Sequence, residues 1–540
     1  MRERRSFWIT MLTLAALVLL SACNSSEQAE KQAANPESKE SKEIVYATAK
    51  DIVDMNPHLY AGSMPAQGIV YESLVESTQE GIAPLLAASW ELSEDGKVYT
   101  FKLREDVVFH DGEPFNAEAV KQNLEAVLSN AAKHSWIGLT TRIESCNVID
   151  EFTVELVLTE GYQPALNELA MTRPFVFISP KSFINGETKD GVKSYHGTGP
   201  YKLAEHKVDQ YAVFEANEQY WNGAPAVKKI TSKVLPAGET TFLALQKGEV
   251  NFVFTDDRGA DSLDEEAMEA LVASGKYQLE RSEPMNTKMI AANSGKADSP
   301  VSELAVREAI WHAIDRETIS SQIMNGAEGP AEALFSANVY AADLPLKKRE
   351  YDLETSKSLL ESAGWVMKEG EGVRTKNGKP LAMSVYFDIN SSTQKIQAEY
   401  IQSTLKEIGM QLELVGEESS SIANRRGTGE YDLLFNQTWG LAYDPQSTIA
   451  AFALESSYLH TTKGMKDADV LYSKIEQARA AQEESEAKAL YADILNMVHE
   501  EAVFIPLTHG SVTVLAPSDL TGLAFKQTQF ELPFERMSFK

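Results

Sequence analysis

The chain has 540 residues, of which 43% are hydrophobic and 24% charged, as in an ordinary soluble globular protein with two or three domains. Its formal net charge of -29 at pH 7 would repel the phosphate backbone of DNA or RNA, so nucleic-acid binding is not expected. The presence of only two cysteines excludes a disulfide framework and a thiolate metal cage.

The first residues indicate export from the cytoplasm. A basic start precedes an apolar run at 7–20 that is too short to span a bilayer, as in a secretory signal. Two small residues, Ser21 and Ala22, then precede Cys23, which is the pattern of lipoprotein signals. We therefore predict that 1–22 is removed and that acyl chains on Cys23 hold the protein at the outer face of the cytoplasmic membrane. The alternative is an ordinary secretory signal followed by an unrelated cysteine.

The segment after the signal is polar. Residues 24–43 contain almost nothing apolar, so 23–43 is predicted to be the lipidated cysteine followed by a flexible tether. No later segment is long and apolar enough to cross a membrane. The second cysteine, Cys146, has no partner in the mature chain and is expected to be buried and inert.

The rest of the chain has the pattern of an α/β protein, and its clearest unit runs from 383 to 439. A strand at 383–388 is followed by an apolar helical stripe that ends at Gly409. A strand at 412–415, a short polar helix and a strand at 431–436 come next. Alternation of strands and helices predicts a parallel sheet.

Three polar or aromatic residues lie just beyond the last of these strands. Asn436, Trp439 and Tyr443 follow its carboxyl end directly. Ligands of parallel sheets bind in crevices at this edge, so these residues are predicted to face a crevice.

Motifs that carry catalysis are absent from the sequence. There is no Gly-Xaa-Ser-Xaa-Gly elbow, Walker A loop, dinucleotide fingerprint or paired-histidine zinc helix. The nine histidines are scattered, and no two share a predicted element at ligand spacing. These absences argue weakly against an enzyme and more strongly against a metal cage made by the protein alone.

Several stretches, taken in order, resemble the signature of one family. They are Trp90, 95–97, 99–107, 109–115, 197–201, 306–310 and 363–365. Together they resemble the oligopeptide, dipeptide and nickel solute-binding family of ABC importers, over nearly the whole chain from about 44 to 540. The resemblance implies an α/β, class II periplasmic-binding-protein fold of the large cluster C type, with two lobes, a hinge and an extra subdomain.

Chain crossings between the two lobes are expected near 283 and near 509. Lobe 1 with the extra subdomain would then cover 44–283, lobe 2 would cover 284–509, and 510–540 would return to lobe 1. The resemblance also implies partners, namely the permease and ATPase subunits of the importer. The binding protein itself is expected to be a monomer.

Within the family, the sequence is most similar to nickel-binding proteins, and among those to receptors for staphylopine-like opine metallophores. The stretches that carry this similarity are 54–58, 235–240, 254–259 and 436–446. Two departures matter. The relatives place a metal-reaching histidine near Ser456 and Ser457, and an arginine where this chain has Lys133. Both departures favour capture of a fully chelated metal over direct ligation by the protein.

The resemblance also implies a set of ligand-binding residues. It contains Arg173, Trp136, Trp439, Tyr443, Arg425, Asn436, Met64 and Tyr60, with His460 as a metal ligand that arrives on closure. An arginine fork suits the outward carboxylates of a chelator, and the aromatic residues would wall the site. The alternatives are an internal carboxylate partner for Arg173, a solvated surface position for Arg425, and core packing for the tryptophans and Met64.

The predicted function is import rather than catalysis. The protein would have no intrinsic cofactor and would capture nickel, cobalt or zinc bound to a small opine chelator by hinge closure. A peptide receptor with the same fold is the first alternative. A secreted hydrolase, a chaperone or adhesin, and a haem carrier also remain open.

Overall fold

The computed structural model describes residues 42–59, 61–236, 238–255, 263, 265–438, 445–528 and 530–540. The predicted signal peptide, Cys23 and almost all of the tether lie outside these residues, as do Tyr60, Trp439 and Tyr443 and part of the 254–259 stretch. Among the described residues, no helix has the length and apolar character needed to cross a bilayer.

The strands contribute to several sheets. In chain order they are β1 (Ile44–Thr48), β2 (Val75–Thr78), β3 (Gly81–Pro84), β4 (Ala87–Leu92), β5 (Val98–Leu103), β6 (Ile143–Asp150), β7 (Thr153–Leu158), β8 (Phe183–Ile184), β9 (Glu187–Val192), β10 (Tyr201–Lys207), β11 (Tyr211–Ala216), β12 (Lys229–Val234), β13 (Val253–Phe254), β14 (Tyr277–Ala292), β15 (Gly329–Pro330), β16 (Thr375–Lys376), β17 (Lys379–Pro380), β18 (Ala382–Asp388), β19 (Gln411–Glu417), β20 (Leu433–Gln437), β21 (Phe504–Pro517), β22 (Leu520–Thr521) and β23 (Ser538–Phe539).

The helices cover the faces of these sheets. In chain order they are α1 (Met64–Val70), α2 (Ala117–Ser129), α3 (Ala165–Leu169), α4 (Glu239–Lys247), α5 (Glu265–Ala273), α6 (Leu304–Ala313), α7 (Arg316–Thr318), α8 (Leu353–Ser362), α9 (Ser392–Glu407), α10 (Ser419–Thr428), α11 (Gln446–Ala451), α12 (Leu459–Thr462), α13 (Ala468–Ala480) and α14 (Glu484–Glu500). Short 3-10 turns at Pro57–Leu59, Ala131–His134 and Gly138–Thr141 lie beside the candidate site.

Two four-stranded sheets belong to the first half of the chain. One has the order β1-β12-β11-β10, with β1 and β12 parallel, and its core includes Phe214 and Ile230. The other is antiparallel, in the order β4-β5-β7-β6, and packs Phe101 and Leu156 against Val120 of α2. Along β7, Val154, Leu156 and Leu158 are buried and alternate with half-buried residues. Cys146 of β6 is buried, as expected, and burial raises the pKa of its thiol to about 12.

The largest sheet has seven strands, with β13-β21-β14-β20-β18-β19 in order and β15 beside β21. The predicted parallel unit is confirmed, because β18 pairs in parallel with both β19 and β20. However, β20 is antiparallel to β14, so the sheet is mixed. Helix α9 begins after the capping side chain of Ser391 and is followed by Gly409 at a φ of 79°, as its sequence pattern predicts.

The long strands β14 and β21 connect the cores of the two halves. Met285 of β14 belongs to the core of the first four-stranded sheet, whereas Met289 belongs to a core of the second half, with Leu434 and Phe504. On β21, Val512 belongs to the first core and Leu507 to the core under the large sheet. The lobe limits at 283 and 509 remain predictions, and these two passages lie at or next to them.

Candidate functional site

Arg173 and Met64 lie on either side of the turn at 61–63. Arg173 is only 3% exposed, and its Nη1 donates to the carbonyl of Ala61 at 3.2 Å. The same carbonyl accepts a hydrogen bond from Gln67 Nε2 at 2.9 Å. Ser63 caps α1, whose first residue is the half-buried Met64. The arginine that was predicted to bind ligand is therefore held by the backbone at the start of a helix.

Gly62 makes this turn possible. Its φ is +84°, and a Cβ atom at this position would lie 1.7 Å from the carbonyl oxygen of Asp54. Any larger residue would both strain the backbone and collide with the main chain. The turn that bonds Arg173 thus depends on a close approach of two backbone segments that only glycine permits.

Trp136 sits on a loop that is anchored by a buried histidine. His134 Nε2 donates to the carbonyl of His58 at 3.0 Å, while Trp136 itself is 37% exposed. Burial lowers the pKa of His58 to about 4. Burial and the positive charges of Arg173 and Lys133 lower the pKa of His134, although its hydrogen bond to the His58 carbonyl acts in the opposite direction. Both imidazoles are therefore neutral supports at neutral pH, and they leave the indole as the exposed group.

A small, partly open cavity separates this loop from residues of the second half of the chain. Its walls are formed by Trp136, Gly138, Tyr162, Asn167, Glu168 and Met171 on one side and by Gln446, Ser447, Ala450 and Arg479 on the other. Trp136 therefore faces a cleft between the two halves, which is the position expected of a residue that walls a ligand site.

Asn436 occupies the end of β20 and pairs with Met289 of β14. Its Oδ1 accepts the backbone N–H of Gln437 at 2.8 Å. The next residue, Thr438, is the last described before Trp439 and Tyr443. The described chain resumes at Pro445, immediately before α11. The predicted roles of Trp439, Tyr443 and Tyr60 therefore stay predictions, because these three residues lie outside the described part of the chain.

Arg425 is already engaged in an ion pair. Its Nε and Nη2 each donate to one oxygen of Glu417 at 2.7 Å, and its guanidinium stacks over Tyr386 at 4.4 Å. It is thus half-buried rather than a fully solvated surface residue. Its predicted ligand role stays a prediction, and it would require the guanidinium to exchange the Glu417 carboxylate for one from the ligand.

His460 also has protein partners on both ring nitrogens. Lys463 Nζ donates to Nδ1 at 2.8 Å, and Nε2 donates to the carbonyl of Gly427 at 3.2 Å. Burial and the charge of Lys463 lower the pKa of His460. Within the described ranges, no group of three or more His, Cys, Asp or Glu residues is arranged to hold a metal ion. The metal role of His460 stays a prediction that requires Lys463 to move away.

Sequence reasoning passed over several residues that meet across the cleft. Gln163 and Arg479 share a backbone hydrogen bond of 2.9 Å, and Tyr491 reaches both Gln163 and Gln446. Gln446 lies in a stretch that resembles the metallophore receptors, which is the only signal that could have pointed to it. Nothing in the sequence distinguishes Gln163 or Tyr491, because their contact depends on how two distant segments pack.

The two halves have separate cores, are joined by the long strands β14 and β21, and have a cleft between them. This is the arrangement of a protein that binds a ligand between two lobes. Residues 81–458 match the family model described as bacterial extracellular solute-binding proteins, family 5 Middle. The chain belongs to this family, and it is a solute-binding protein of an ABC importer.

Individual relatives show which ligands similar proteins bind. The nickel-binding periplasmic protein of Escherichia coli (strain K12) is 38% identical over 92% of this chain and 94% of its own length. The crystal structure of NikA from Brucella suis in complex with Fe(III)-EDTA is 37% identical, with a TM-score of 0.89, and covers 92% of this chain and 100% of that chain. The dipeptide-binding protein of E. coli (strain K12) is 25% identical over 88% of this chain and 90% of its own length.

These comparisons confirm the predicted family and the class II periplasmic-binding-protein fold. The relatives are transport proteins rather than enzymes. The chain is therefore similar over most of its length to proteins that bind nickel, a metal chelate or dipeptides.

Proposed function

We propose that this protein captures a chelated divalent metal outside the cytoplasm and delivers it to an ABC permease by closure of its two lobes. The cargo is nickel, cobalt or zinc wrapped by a small opine-type chelator. The single observation that carries the proposal is the buried guanidinium of Arg173, which is 3% exposed and lies two residues after Met171, a residue of the cleft wall that also contains Trp136.

The chemistry of a chelate fits this arrangement. A metal wrapped by carboxylates and amines presents carboxylate oxygens to the protein, and a guanidinium can bind them with two parallel hydrogen bonds. Desolvation strengthens such a contact, and flat aromatic surface covers the apolar parts of the chelator. The chelator also supplies the metal ligands, which is consistent with the absence of a cluster of metal-binding side chains in the described part of the chain.

Two relatives support a metal cargo. One is a nickel-binding protein at 38% identity, and the other, at 37% identity, was crystallised with Fe(III)-EDTA, a metal held by a polycarboxylate. The opine character of the chelator rests on the resemblance of 54–58 and 436–446 to metallophore receptors. Peptide binding is the second candidate, since the dipeptide-binding protein is also related.

The remaining parts of the proposal concern the importer. The lipid on Cys23 holds the protein at the outer face of the cytoplasmic membrane, and the closed form docks on the permease, which works with an ATPase. The protein acts as a monomer, performs no catalysis and has no intrinsic cofactor. Arg173 and Trp136 contact the ligand from one lobe, and Trp439 and Tyr443 from the other, so that binding favours the closed state.

Substitution of Arg173 tests this function. We expect Arg173→Met to weaken binding of nickel–EDTA about 100-fold, because a charge-assisted hydrogen bond contributes roughly 1.5–3 kcal/mol. Arg173→Lys should retain part of the affinity, since a lysine keeps the charge without the fork. The measurement is calorimetric titration of each purified variant, after a melting curve has shown that it is folded.

Arg104→Met is the matched control. Its guanidinium bonds the carbonyl of Leu85 and stacks over Trp221 at 4.3 Å, so the same change is made at a different site of the same half. This variant should bind nickel–EDTA as the wild type does. Wild-type affinity in Arg173→Met would contradict the proposed function.

A further inference from the structure

We propose that Tyr491 is a positioning residue that latches the two halves together, by joining Gln163 on one side of the cleft to Gln446 at the start of α11 on the other. The inference rests on the lobe closure in the proposed function. It does not depend on which ligand is bound.

The first half of the latch is a firmly held loop between β7 and α3. Tyr162 donates its hydroxyl hydrogen to Glu168 Oε1 at 2.7 Å, and Arg142 stacks over the Tyr162 ring at 4.7 Å. Glu168 also accepts the backbone N–H of Leu139 at 2.7 Å. These contacts fix the loop that carries Gln163. The distance between Gln163 and Tyr491 therefore reports the position of the whole first half relative to the second.

The second half of the latch is Tyr491 on α14. Its side chain is 1% exposed, and its ring meets Tyr340 edge to face at 6.3 Å. The hydroxyl lies 3.0 Å from Gln446 Oε1 and 3.4 Å from Gln163 Oε1. A hydroxyl has one hydrogen and two lone pairs, so it can donate to one glutamine and accept from the other once one amide is rotated.

A backbone hydrogen bond close to the Tyr491 hydroxyl joins the same two halves. The N–H of Gln163 donates to the carbonyl of Arg479 on α13 at 2.9 Å. The cavity that contains Trp136 is lined by Gln446 and Arg479 as well. The latch therefore lies at the edge of the candidate site, where it can stabilise closure without touching the centre of the cleft.

The position of Gln446 connects the latch to the ligand. It is the first residue of α11 and follows Pro445, directly after the segment that carries Trp439 and Tyr443. Gln446 also lines the cavity that contains Trp136, so the latch contacts the wall of the candidate site. A contact that forms only when the two halves approach each other favours the closed state, which is the differential contact that a closure switch requires.

The test measures the open and closed populations of the ligand-free protein. Spin labels are attached to Asn147→Cys and Ser473→Cys, two exposed positions in different halves, in the full chain carrying Cys23→Ser. Cys146 stays unlabelled because it is buried and the pKa of its thiol is raised to about 12. Pulsed electron–electron distance measurements then report the distance between the halves.

Tyr491→Phe keeps the buried ring and removes only the hydroxyl. We expect the ratio of closed to open molecules to fall about fivefold, since a hydrogen bond contributes roughly 1 kcal/mol. Gln163→Ala should also reduce closure, and the double variant should lose less than the sum of the two single effects. An unchanged distance distribution in Tyr491→Phe would overturn the latch.

Tyr340→Phe is the control for a merely structural role. Its hydroxyl lies 3.4 Å from the carbonyl of Glu484, within the same half, and its ring packs on Tyr491. This variant should leave the distances between the labels unchanged. Because no ligand is added, the outcome stands even if nickel–EDTA does not bind, which separates a failure of the latch from a failure of the proposed cargo.

Discussion

Glu72 is a carboxyl group that the fold uses away from the cleft. It accepts hydrogen bonds from the hydroxyls of Tyr220 at 2.7 Å and Thr198 at 2.8 Å, and from Trp221 Nε1 at 3.2 Å. Burial raises the pKa of Glu72 to about 7, although these hydrogen bonds act in the opposite direction. Glu72 therefore links Thr198, in the glycine-containing turn at 197–201, to Tyr220 and Trp221. The free-energy cost of burying its negative charge depends on pH.

We expect Glu72→Gln to change the pH dependence of stability. The folded-state pKa of about 7 lies above the ordinary value of 4.5, so the native protein binds this proton more tightly than the unfolded chain. Its contribution to stability is thus greatest below pH 4.5 and is lost as the pH rises to about 7. Relative to the wild type, the variant should gain about 3 kcal/mol between pH 4.5 and pH 8.

Urea unfolding of both proteins at pH 4.5, 6 and 8 measures this difference. The amide keeps the size of the carboxyl group and can accept from Tyr220 and Trp221, so the variant should fold. A difference in unfolding free energy that is the same at all three pH values would contradict this assignment of Glu72.

The ends of β14 and β20 are clamped together where the chain enters the predicted ligand loop. The N–H of Thr287 donates to Thr438 Oγ1 at 2.9 Å, and the N–H of Thr438 donates to the Thr287 carbonyl at 3.0 Å. The Thr287 hydroxyl lies 2.9 Å from Nδ1 of His509 on β21. Burial lowers the pKa of His509 to about 4, so the neutral ring can accept this hydrogen bond.

Thr438→Val should weaken this clamp. Valine has the shape of threonine but leaves the buried N–H of Thr287 without its acceptor, which costs roughly 1–3 kcal/mol. Thr438→Ser retains the hydroxyl and should lose much less. The unfolding free energy in urea measures the effect, and equal stabilities of the valine and serine variants would show that the side-chain hydrogen bond does not matter.

Periodicity predicted the elements best where one face of a strand or helix is buried. The strands and helices of the 383–439 unit and their parallel pairing follow from the sequence. The burial of α9 is less regular than its sequence pattern, because the apolar Ile396 is 50% exposed while Ile401 and Leu405 are buried. Polarity alone does not predict exposure either, because Arg307 is 1% exposed and bonds Glu501 at 2.9 Å.

The overall architecture and the site differ in how far the sequence could predict them. The family motifs were sufficient to predict the fold, because they are spread over almost the whole chain. Motifs could not show that Arg425 binds Glu417 or that His460 bonds Lys463, since those contacts depend on side-chain packing within the second half. The contact of Tyr491 with Gln163 joins residues 328 positions apart, and no local pattern encodes it.

Across the whole molecule, the central claim is that the cleft recognises a metal inside a chelator rather than a bare ion or a peptide. Trp136 lines the cleft, Arg173 is buried two residues after Met171 of the same wall, and the described residues hold no cluster of metal-binding side chains. A bare ion would lack ligands in this part of the site, whereas a chelate would bring its own.

Calorimetric titration of the purified protein with nickel–EDTA, nickel chloride and dialanine tests this claim most directly. We expect nickel–EDTA to bind with one site per chain and nickel chloride and dialanine to give no saturable heat. Saturable binding of nickel chloride would instead require direct ligation by the protein, and binding of dialanine alone would contradict a metal cargo.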